Sequence, residues 1–467
     1  MTRPGSDAGG RPTGRPLRGK RSGADPARRA AYDVLRAVDE RDAYANLVLP
    51  PMLRARGISG RDAAFATELA YGTLRGQGTY DAVLSACVDR PLDQLDRPVL
   101  DVLRLGAHQL LRMRVPDHAA VSTTVGLAAS AVGAGASRLV NAVLRKVSAR
   151  DLDAWMDQVA PSPGTDPIGH LAVVHSHPRW IVQAMLDARG GDLDDIVGLL
   201  AADNVAPGVT LIARPGRCEV AELVAAGAEP ARWSRVGAYL PGGDPADVPA
   251  VTEGRAGVQD EGSQLVALAL ADAPLAGTDT RWLDTCAGPG GKAALLAGLA
   301  AQRGAGLLAV ELQADRAELV RRAVAGTAEV VVGDATEPTW PTSAFDRVLV
   351  DAPCTGLGAL RRRPESRWRR QPSDLPALGA LQRRLLDRAV EAARPGGLVA
   401  YVTCSPHPAE TGVVVADVLR DRGDAQLLDA RPLLPGLPDL GDGPHVQLWP
   451  DRHGTDAMFL ALLRRAP

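Results

Sequence analysis

The sequence has no long apolar run. None of its segments approaches the roughly eighteen consecutive apolar residues that a membrane helix requires. No apolar core follows the basic amino terminus, as a signal peptide would need. With 46% apolar residues over 467 positions, the chain has the composition of a soluble protein of two or three domains. We therefore expect a cytoplasmic protein with no membrane partner.

Cysteine is also scarce. The five cysteines are Cys87, Cys218, Cys286, Cys354 and Cys404. Their number is odd, they are far apart, and no C-x-x-C pair occurs, which argues against a zinc site and against a disulfide framework. We expect reduced thiols and no metal centre.

Lysine is almost absent. Lys20, Lys146 and Lys292 are the only lysines among 53 basic residues, which face 55 acidic ones. Arginine is therefore the default cation of this chain. A lysine kept inside a glycine-rich turn, at Lys292, suggests that its compact ammonium group has a use there. The alternative is that one of three lysines lies there by chance.

The first half of the chain divides by composition. Residues 1–25 hold six cations, two acids and little apolar surface, so we predict a disordered basic tail. Residues 26–155 repeat apolar side chains at helical spacing, as at Val34 and Val38, which predicts an all-α bundle. After a linker rich in proline and glycine, residues 166–265 mix helix and strand patterns and predict a small α/β segment.

Residues 266–467 carry a different pattern. From Thr280 onward, strands and helices alternate at a spacing that predicts a doubly wound, Rossmann-like parallel sheet. The first strand enters a glycine-rich turn at residues 285–292, which opens a helix. Such a turn lets the backbone approach a ligand closely. Its G-x-G-G spacing matches neither the dinucleotide motif nor a phosphate-binding loop.

Acidic residues follow three strands of this region, at Glu311, Asp334 and Asp351. Because parallel strands end at one edge of a sheet, we expect these carboxylates along a single crevice. Glu311 is placed to accept hydrogen bonds from ribose hydroxyls, and Asp334 to face an adenine amino group. Three acids would repel a pyrophosphate, so the pattern favours S-adenosyl-L-methionine over NAD.

Two thiols are predicted at the same edge. One apolar run ends in Asp351-Ala352-Pro353-Cys354, and a second, later run ends just before Cys404. Cytosine C5 is too weak a nucleophile to take a methyl group directly, but a thiolate that adds to C6 makes C5 an enamine carbon. Asp351 could hydrogen-bond the cytosine at N3 or at the amino group. We predict that both sulfurs and this carboxylate face one pocket.

These blocks support a resemblance to known families. Residues 286–292, 351–356 and 403–406 resemble the motifs of the Sun family of RNA 5-methylcytosine methyltransferases. Residues 65–75 and 137–146 lie in helices that resemble the NusB family of RNA-binding domains. The resemblance implies an S-adenosyl-L-methionine-dependent enzyme that methylates cytosine C5 in small-subunit (16S) ribosomal RNA through a covalent cysteine adduct.

The resemblance also implies residue roles. Cys404 corresponds to the nucleophile, and Cys354 to the cysteine that aids product release. This sequence departs from the family at Gly288, where alanine is common, at Glu311, where aspartate is usual, and at Ala457, where glycine is frequent. The implied cofactor contacts are Cys286, Ala287, Gly288, Pro289, Gly290, Gly291, Lys292, Glu311, Asp334 and Asp351.

Two groups of cations are candidates for RNA binding. Six arginines and Trp368 occur within ten residues soon after Cys354, where cations could meet phosphates and the indole could stack on a base. A smaller basic group occurs in the helical region. The alternative for both groups is a solvated face. The candidates are Arg361, Arg362, Arg363, Arg367, Arg369, Arg370, Arg138, Arg145 and Lys146.

Other functions remain open at this point. The motifs define the chemistry better than the target, so a transfer RNA cytosine methyltransferase is an alternative. A second is a non-catalytic RNA-binding assembly or antitermination factor, although such a protein need keep neither Cys354 nor Cys404. We expect a monomer. We also predict that residues 445–449 and 457–463 form strands at the antiparallel edge of the sheet.

Overall fold

The computed structural model describes residues 25–466. The predicted basic tail therefore lies, except for Asp25, outside the described residues. Within residues 25–466, no helix is long and apolar enough to cross a bilayer. Short 3-10 turns in this part are Leu92–Gln94, Pro245–Asp247, Leu357–Ala359, Pro372–Asp374, Pro408–Glu410 and Arg431–Leu433.

The amino-terminal region is helical, as predicted. Asp25 begins it by accepting a hydrogen bond from the N–H of Ala27, and Pro26 occupies the first helical position, where its missing N–H costs nothing. The fifth helix is buried along most of its length and packs at the centre of the bundle. The helices are α1 (Pro26–Arg41), α2 (Ala45–Ala55), α3 (Gly60–Arg75), α4 (Gln77–Cys87), α5 (Arg97–Leu111), α6 (Asp117–Ala131), α7 (Ala134–Val147) and α8 (Leu152–Val159).

A mixed segment follows the bundle. Three helices precede a small antiparallel sheet with strand order β2-β3-β1-β4, and a buried apolar helix closes the segment. Its elements are α9 (Pro167–Val174), α10 (Arg179–Ala188), α11 (Leu193–Ala202), β1 (Val209–Ala213), α12 (Val220–Ala225), β2 (Glu229–Pro230), β3 (Gly237–Leu240), α13 (Pro249–Thr252), β4 (Ala256–Val258) and α14 (Glu261–Asp272).

The carboxy-terminal region contains the predicted parallel sheet. Its strand order is β10-β12-β9-β8-β5-β6-β7, and β5 to β9 are parallel where they pair. The elements are β5 (Arg281–Asp284), α15 (Gly291–Gln302), β6 (Gly306–Glu311), α16 (Ala314–Val324), β7 (Glu329–Val332), β8 (Phe345–Asp351), α17 (Ser366–Arg369), α18 (Leu375–Ala392), β9 (Ala393–Thr403), α19 (Gly412–Asp421), β10 (Ala425–Leu428), β11 (Val446–Gln447), α20 (Pro450–His453) and β12 (Phe459–Arg465).

The strand order determines where the ligand-binding crevice of this sheet lies. The chain moves from β5 outward to β6 and β7, then returns to pair β8 with the other side of β5. In open α/β sheets, ligands bind at such a reversal, beyond the carboxyl ends of the strands. Asp284 and Asp351, the last residues of β5 and β8, lie at this point.

Both faces of the sheet are covered, which explains its nearly continuous apolar strands. Along β8, Leu349 packs toward the side that holds Trp282 and α15, while Val348 and Val350 pack toward the side that holds α18. Neighbouring residues of a strand point to opposite faces. Alternate apolar residues of the strand therefore pack into the cores on opposite faces of the sheet.

The predicted antiparallel edge is wrong in detail. Strand β12 is not an edge strand, because Leu462 pairs with Ala400 of β9 on one side and with Leu428 of β10 on the other. The edge is β10, which was not predicted, since it is four residues long and only partly buried. The strand predicted at residues 445–449 is reduced to β11, which pairs with β12 alone.

Candidate active site

The ends of β8 and β9 bring two cysteines together. The strands are parallel neighbours, with Asp351 opposite Val402, so the loops that leave them start side by side. The Sγ atoms of Cys354 and Cys404 lie 3.5 Å apart and are partly buried. The sequence predicted that both sulfurs would emerge at one edge, and the structure places them in contact.

The two thiols differ in acidity. The hydrogen bond from Cys354 is the main reason why the pKa of Cys404 lies below its ordinary value; the charge of Lys292 acts in the same direction, against burial and Asp351. The same hydrogen bond, together with burial, raises the pKa of Cys354 well above its ordinary value. Cys404 is therefore the more acidic thiol of the pair, and Cys354 is the less acidic one.

A lysine and a carboxylate form an ion pair at the same strand ends. Lys292 lies in the first turn of α15, and its Nζ donates to Oδ2 of Asp351 at 2.8 Å. Burial is the largest single influence on the pKa of Lys292 and acts to lower it, but the charge and hydrogen bond of Asp351, together with the charges of Cys404 and Asp284, outweigh burial and raise the pKa. The ammonium group is thus held in its charged form within reach of the cysteine pair.

The glycine-rich turn is hydrogen-bonded to the carboxylate of Glu311, at the end of the next strand. The N–H of Gly288 donates to Oε2 of Glu311 at 3.0 Å, and the N–H of Gln313 donates to Oε1 at 3.0 Å. A Cβ atom on residue 288 would lie only 2.1 Å from Glu311 Oε2. The two departures from the family pattern are therefore coupled: the longer glutamate uses the space that the glycine leaves free.

Gly290 has a separate reason to be glycine. Its φ of +112° lies in the region that side chains disfavour. A Cβ there would also meet the Cβ of Ala323 at 2.7 Å and the Cα of Val320 at 3.0 Å. The turn consequently packs directly against α16 at the start of α15.

The sequence of this chain is similar to those of known methyltransferases. Residues 269–464 match the family model described as 16S rRNA methyltransferase RsmB/F, and residues 25–149 match the NusB family. A Mycobacterium tuberculosis protein, named as a methyltransferase without a stated substrate, is 55% identical over 96% of this chain and 98% of its own. The ribosomal RNA small subunit methyltransferase B of Pseudomonas syringae is 33% identical over 93% of this chain and 96% of its own. The chain belongs to the RsmB/F family.

The fold of this RsmB/F protein is shared with a solved structure. The crystal structure of PH0851 superimposes with a TM-score of 0.78 over 94% of this chain and 98% of that chain, at 22% sequence identity. The similarity extends over the bundle, the mixed segment and the sheet, so the three regions form a known arrangement. The protein is a methyltransferase, and its methyl donor is S-adenosyl-L-methionine.

The residues of the crevice fit that donor. Asp284 is buried at the end of β5, and its Oδ1 accepts from the N–H of Cys286 at 3.3 Å. Its Oδ2 is buried without a hydrogen-bond partner among the described residues. An acceptor left free beside a glycine turn suits a ligand that brings its own donors, as the ammonium and hydroxyl groups of S-adenosyl-L-methionine do.

Asp284 is a candidate site residue that the sequence reasoning missed. Burial raises the pKa of its carboxyl group to about 7, and the nearby charge of Asp351 acts in the same direction. A signal existed, because Asp284 is the first of the series of strand-end acids that continues with Glu311 and Asp334. The predicted series starts at Glu311, the end of β6, and so leaves out the acid at the end of β5.

Asp334 lies farther out along the same edge. Its Oδ1 accepts from both the N–H and the hydroxyl of Thr336, each at 2.8 Å. These hydrogen bonds hold the pKa of Asp334 below its ordinary value, and the side chain stays exposed. The carboxylate is thus fixed in place and ionised at the strand end where an adenine amino group was predicted.

The arginine segment, residues 361–370, differs from its prediction. Arg361 is buried, and its guanidinium bonds Asp260 Oδ2 at 2.8 Å and Asp456 Oδ1 at 3.2 Å. Arg367 is fully buried and is therefore not part of any surface. The prediction that these two arginines bind RNA is wrong, because their hydrogen-bonding groups are used inside the protein.

Arg367 joins three regions of the chain. Its guanidinium donates to the carbonyl oxygen of Arg75 at 3.1 Å, to that of Ser176 at 3.0 Å, to that of Asp203 at 2.8 Å and to Oδ1 of Asn204 at 2.8 Å. Arg75 belongs to the bundle, and the other three residues belong to the mixed segment. The arginine segment therefore connects the helical region to the loop that carries Cys354.

The remaining arginines of the segment are partly buried. Arg362 pairs with Asp456, Arg363 lies over the ring of Tyr44 at 4.6 Å, and Arg369 donates to the carbonyl of Ala43. Arg370 is half-buried, and its guanidinium forms no hydrogen bond or ion pair with another residue in the range 25–466. These four keep some accessible surface, unlike Arg361 and Arg367.

The basic group of the bundle is on its surface. Arg138, Arg145 and Lys146 are exposed along α7. Lys146 Nζ donates to the carbonyl oxygen of Cys87 at 2.9 Å, while the two arginines form no ion pair with the described residues. This face keeps its charge available to solvent.

Proposed function

We propose that the protein methylates C5 of a cytosine in 16S ribosomal RNA through a covalent adduct at Cys404. The observation that carries the proposal is the contact between the Sγ atoms of Cys354 and Cys404, 3.5 Å apart. A single thiol at a strand end has an ordinary explanation as a small apolar residue. Two thiols in contact, with unlike acidity and a lysine–carboxylate pair nearby, fit a nucleophile and its partner.

Cys404 begins the reaction as the nucleophile. Its thiolate adds to C6 of the cytosine, forming a C6–Sγ bond, and the electron pair of the C5–C6 double bond makes C5 nucleophilic. The hydrogen bond from Cys354 and the charge of Lys292 favour the thiolate before substrate binds. S-adenosyl-L-methionine, when bound, supplies the methyl group as an electrophile on a positively charged sulfur.

The Lys292–Asp351 pair assists the addition. As the thiolate adds, negative charge develops on the cytosine ring at N3 and at the exocyclic groups. Asp351 is oriented by its 2.8 Å bond to Lys292 and can hydrogen-bond the amino group, while the ammonium compensates the developing charge. This role gives the rare lysine of the glycine-rich turn a function that arginine, with its larger planar group, would not fill.

Cys354 acts at the release step. After methylation the C5 proton must leave, and its bonding electrons re-form the C5–C6 double bond while the C6–Sγ electrons return to Cys404. Cys354 passes its own proton to solvent and removes the C5 proton. One proton is released overall, and both sulfurs regain their starting states. The lower acidity of Cys354 suits this base, because a thiolate with a raised pKa accepts a proton more readily.

The substrate would contact more than the crevice. The NusB-type bundle would bind RNA through Arg138, Arg145 and Lys146, whose exposed charges can meet phosphates. Arg362 and Arg370 would contribute through the surface that they keep accessible. In this proposal, α7 supplies most of the affinity for RNA, and the arginine segment positions the RNA at the site.

Methyl transfer to 16S RNA tests the proposal. We expect wild-type protein and radiolabelled S-adenosyl-L-methionine to give 5-methylcytosine, identified by mass mapping of the RNA. Cys404→Ala should lose transfer entirely, and Cys354→Ala should leave a protein–RNA adduct that survives denaturation. Cys218→Ala, at a buried cysteine outside the site, should behave as wild type.

Two results would contradict the proposal. Full activity of Cys404→Ala would reject the nucleophile, and a methyl group on any atom other than cytosine C5 would reject the chemistry. Transfer to transfer RNA in place of 16S RNA would retain the chemistry and reject the substrate.

A further inference from the structure

A buried glutamate lies behind the cysteine pair. Glu410, in the 3-10 turn that follows Cys404, has 0% of its surface exposed. Its Oε1 accepts from the N–H of Thr355 at 2.8 Å, and its Oε2 accepts from the hydroxyl of the same threonine. Thr355 directly follows Cys354 in the sequence. The carboxylate therefore holds the residue next to one reactive sulfur.

The same network holds the other neighbours of the two cysteines. Gln382, on α18, donates through Nε2 both to Glu410 Oε1 at 3.1 Å and to the carbonyl oxygen of Pro353 at 2.8 Å. The hydroxyls of Thr355 and Ser405 are 3.1 Å apart. The residues on both sides of Cys354 and the residue after Cys404 are thus linked through one buried cluster.

Burying the carboxylate of Glu410 at this position is energetically unfavourable. Glu410 forms no ion pair with a cation among residues 25–466, so its carboxylate is buried on hydrogen bonds alone. Burying an ionised group without a cation is unfavourable, and a neutral side chain of the same shape would cost less. A negative charge kept here at such a cost suggests a use beyond packing.

The charge also affects the cysteine it faces. The hydrogen bond to Cys404 and burial do most to raise the pKa of Cys354, and the Glu410 carboxylate adds to the effect. Glu410 thereby adds to the difference in acidity between the two thiols. Held in place beside Cys404, Cys354 is positioned for the step that follows adduct formation.

We propose that Glu410 is a positioning residue that holds Cys354 against Cys404 and so controls release of the methylated RNA. The inference rests on the proposed function, in which Cys404 forms the adduct and Cys354 resolves it. Glu410 acts through Thr355 and does not touch the substrate. Its loss should therefore affect one step of the reaction and leave the other in place.

The test is the lifetime of the covalent adduct in Glu410→Gln, a variant that keeps the shape and removes the charge. We expect adduct formation at nearly the wild-type rate and release slowed about tenfold to a hundredfold, as small misplacements of reacting groups cause. The adduct is quantified after denaturation in a single-turnover time course. Thr355→Val, which replaces the hydroxyl with a methyl group, should slow release in the same way and serves if Glu410→Gln does not fold.

Control variants separate the possible outcomes. Glu261 is also a buried glutamate that accepts two backbone N–H groups, from Trp233 and Ser234, and it lies outside the cysteine cluster. Glu261→Gln should lower stability without accumulating adduct. If Glu410→Gln loses formation and release together, as a general loss of structure would, Glu410 has no specific role and the inference is wrong.

Cys354→Ala distinguishes this inference from the proposed function. If Cys354→Ala accumulates adduct and both Glu410→Gln and Thr355→Val release RNA at the wild-type rate, only the inference about Glu410 fails. If Cys354→Ala accumulates no adduct, the proposed role of Cys354 fails, and the role of Glu410 fails with it. Accumulation in all three variants supports both.

Discussion

The cysteine pair and the arginine segment are close in the sequence and opposite in character. Cys354 and Cys404 are 50 residues apart in the sequence, but they follow neighbouring strands and meet in the crevice. The arginines that begin at Arg361, only a few residues after Cys354, turn inward, and two of them are buried in contacts between regions. A residue that follows a parallel strand is placed at a known edge of the sheet. A run of arginines in the sequence does not show which acceptors each guanidinium will meet. Reactive groups at strand ends are therefore the safer basis for inferring function.

The largest expected effect is on stability. Arg367→Ala should lower the free energy of unfolding by about 3 kcal/mol, because four buried acceptors lose their charged donor. Arg370→Ala, in the same segment and half-buried, should change it by no more than about 0.5 kcal/mol. Urea denaturation of both variants measures the difference. Equal stability of the two would remove the contrast between buried and accessible arginines.

A smaller effect is expected at the coupled pair in the glycine turn. Gly288→Ala should weaken binding of S-adenosyl-L-methionine about tenfold, since the new Cβ displaces the Glu311 carboxylate from its hydrogen bond. Adding Glu311→Asp should recover most of the loss, because the shorter side chain makes room for the methyl group. Titration calorimetry on the two single variants and the double variant measures the coupling. Additive losses would mean that the two positions are independent.

The acidity of Cys404 should depend on its neighbour. In Cys354→Ala the thiolate of Cys404 loses the hydrogen bond that does most to lower its pKa, so its alkylation by iodoacetamide should move to higher pH. Lys292→Met should move it in the same direction. Mass spectrometry of the peptide that contains Cys404, across a pH series, gives the midpoint. An unchanged midpoint in Cys354→Ala would mean that contact of the sulfurs does not influence ionisation.

The smallest effect concerns the exposed cations of the bundle. Arg138→Gln and Arg145→Gln should each reduce the slope of log affinity against log salt by roughly 0.7 to 0.9, the contribution of one phosphate contact. Arg420→Gln, an exposed arginine on α19, should leave the slope unchanged. Filter binding of 16S RNA at several salt concentrations measures it. No change in either α7 variant would place RNA binding elsewhere.

Much of the architecture could be predicted from sequence periodicity. Apolar runs that end in Asp351 and Cys404 predicted the parallel strands, because a strand buried on both faces needs continuous apolar residues. The pairing of the sulfurs followed from the shared edge of those strands. Strand β10 was missed because its four partly buried residues carry a weak signal.

The site was less predictable where partners come from distant parts of the chain. Arg367 finds its acceptors near residues 75, 176 and 203, and no local pattern announces such contacts. Glu410 and Gln382 reach the cysteine loop from two different elements. Their importance depends on burial, which sequence spacing alone does not reveal for a polar residue.

The contacts of the arginine segment also bear on how members of this family can be recombined. Glu365 accepts from the N–H of Ala45 at 3.1 Å, and Arg367 bonds the carbonyl of Arg75, so the bundle rests on a stretch that belongs to the other domain. A chimera that exchanges only the bundle, at its carboxyl-terminal boundary, would pair the new bundle with an arginine segment that does not match its surface. Exchanging residues 361–370 along with it would carry the matching surface into the hybrid.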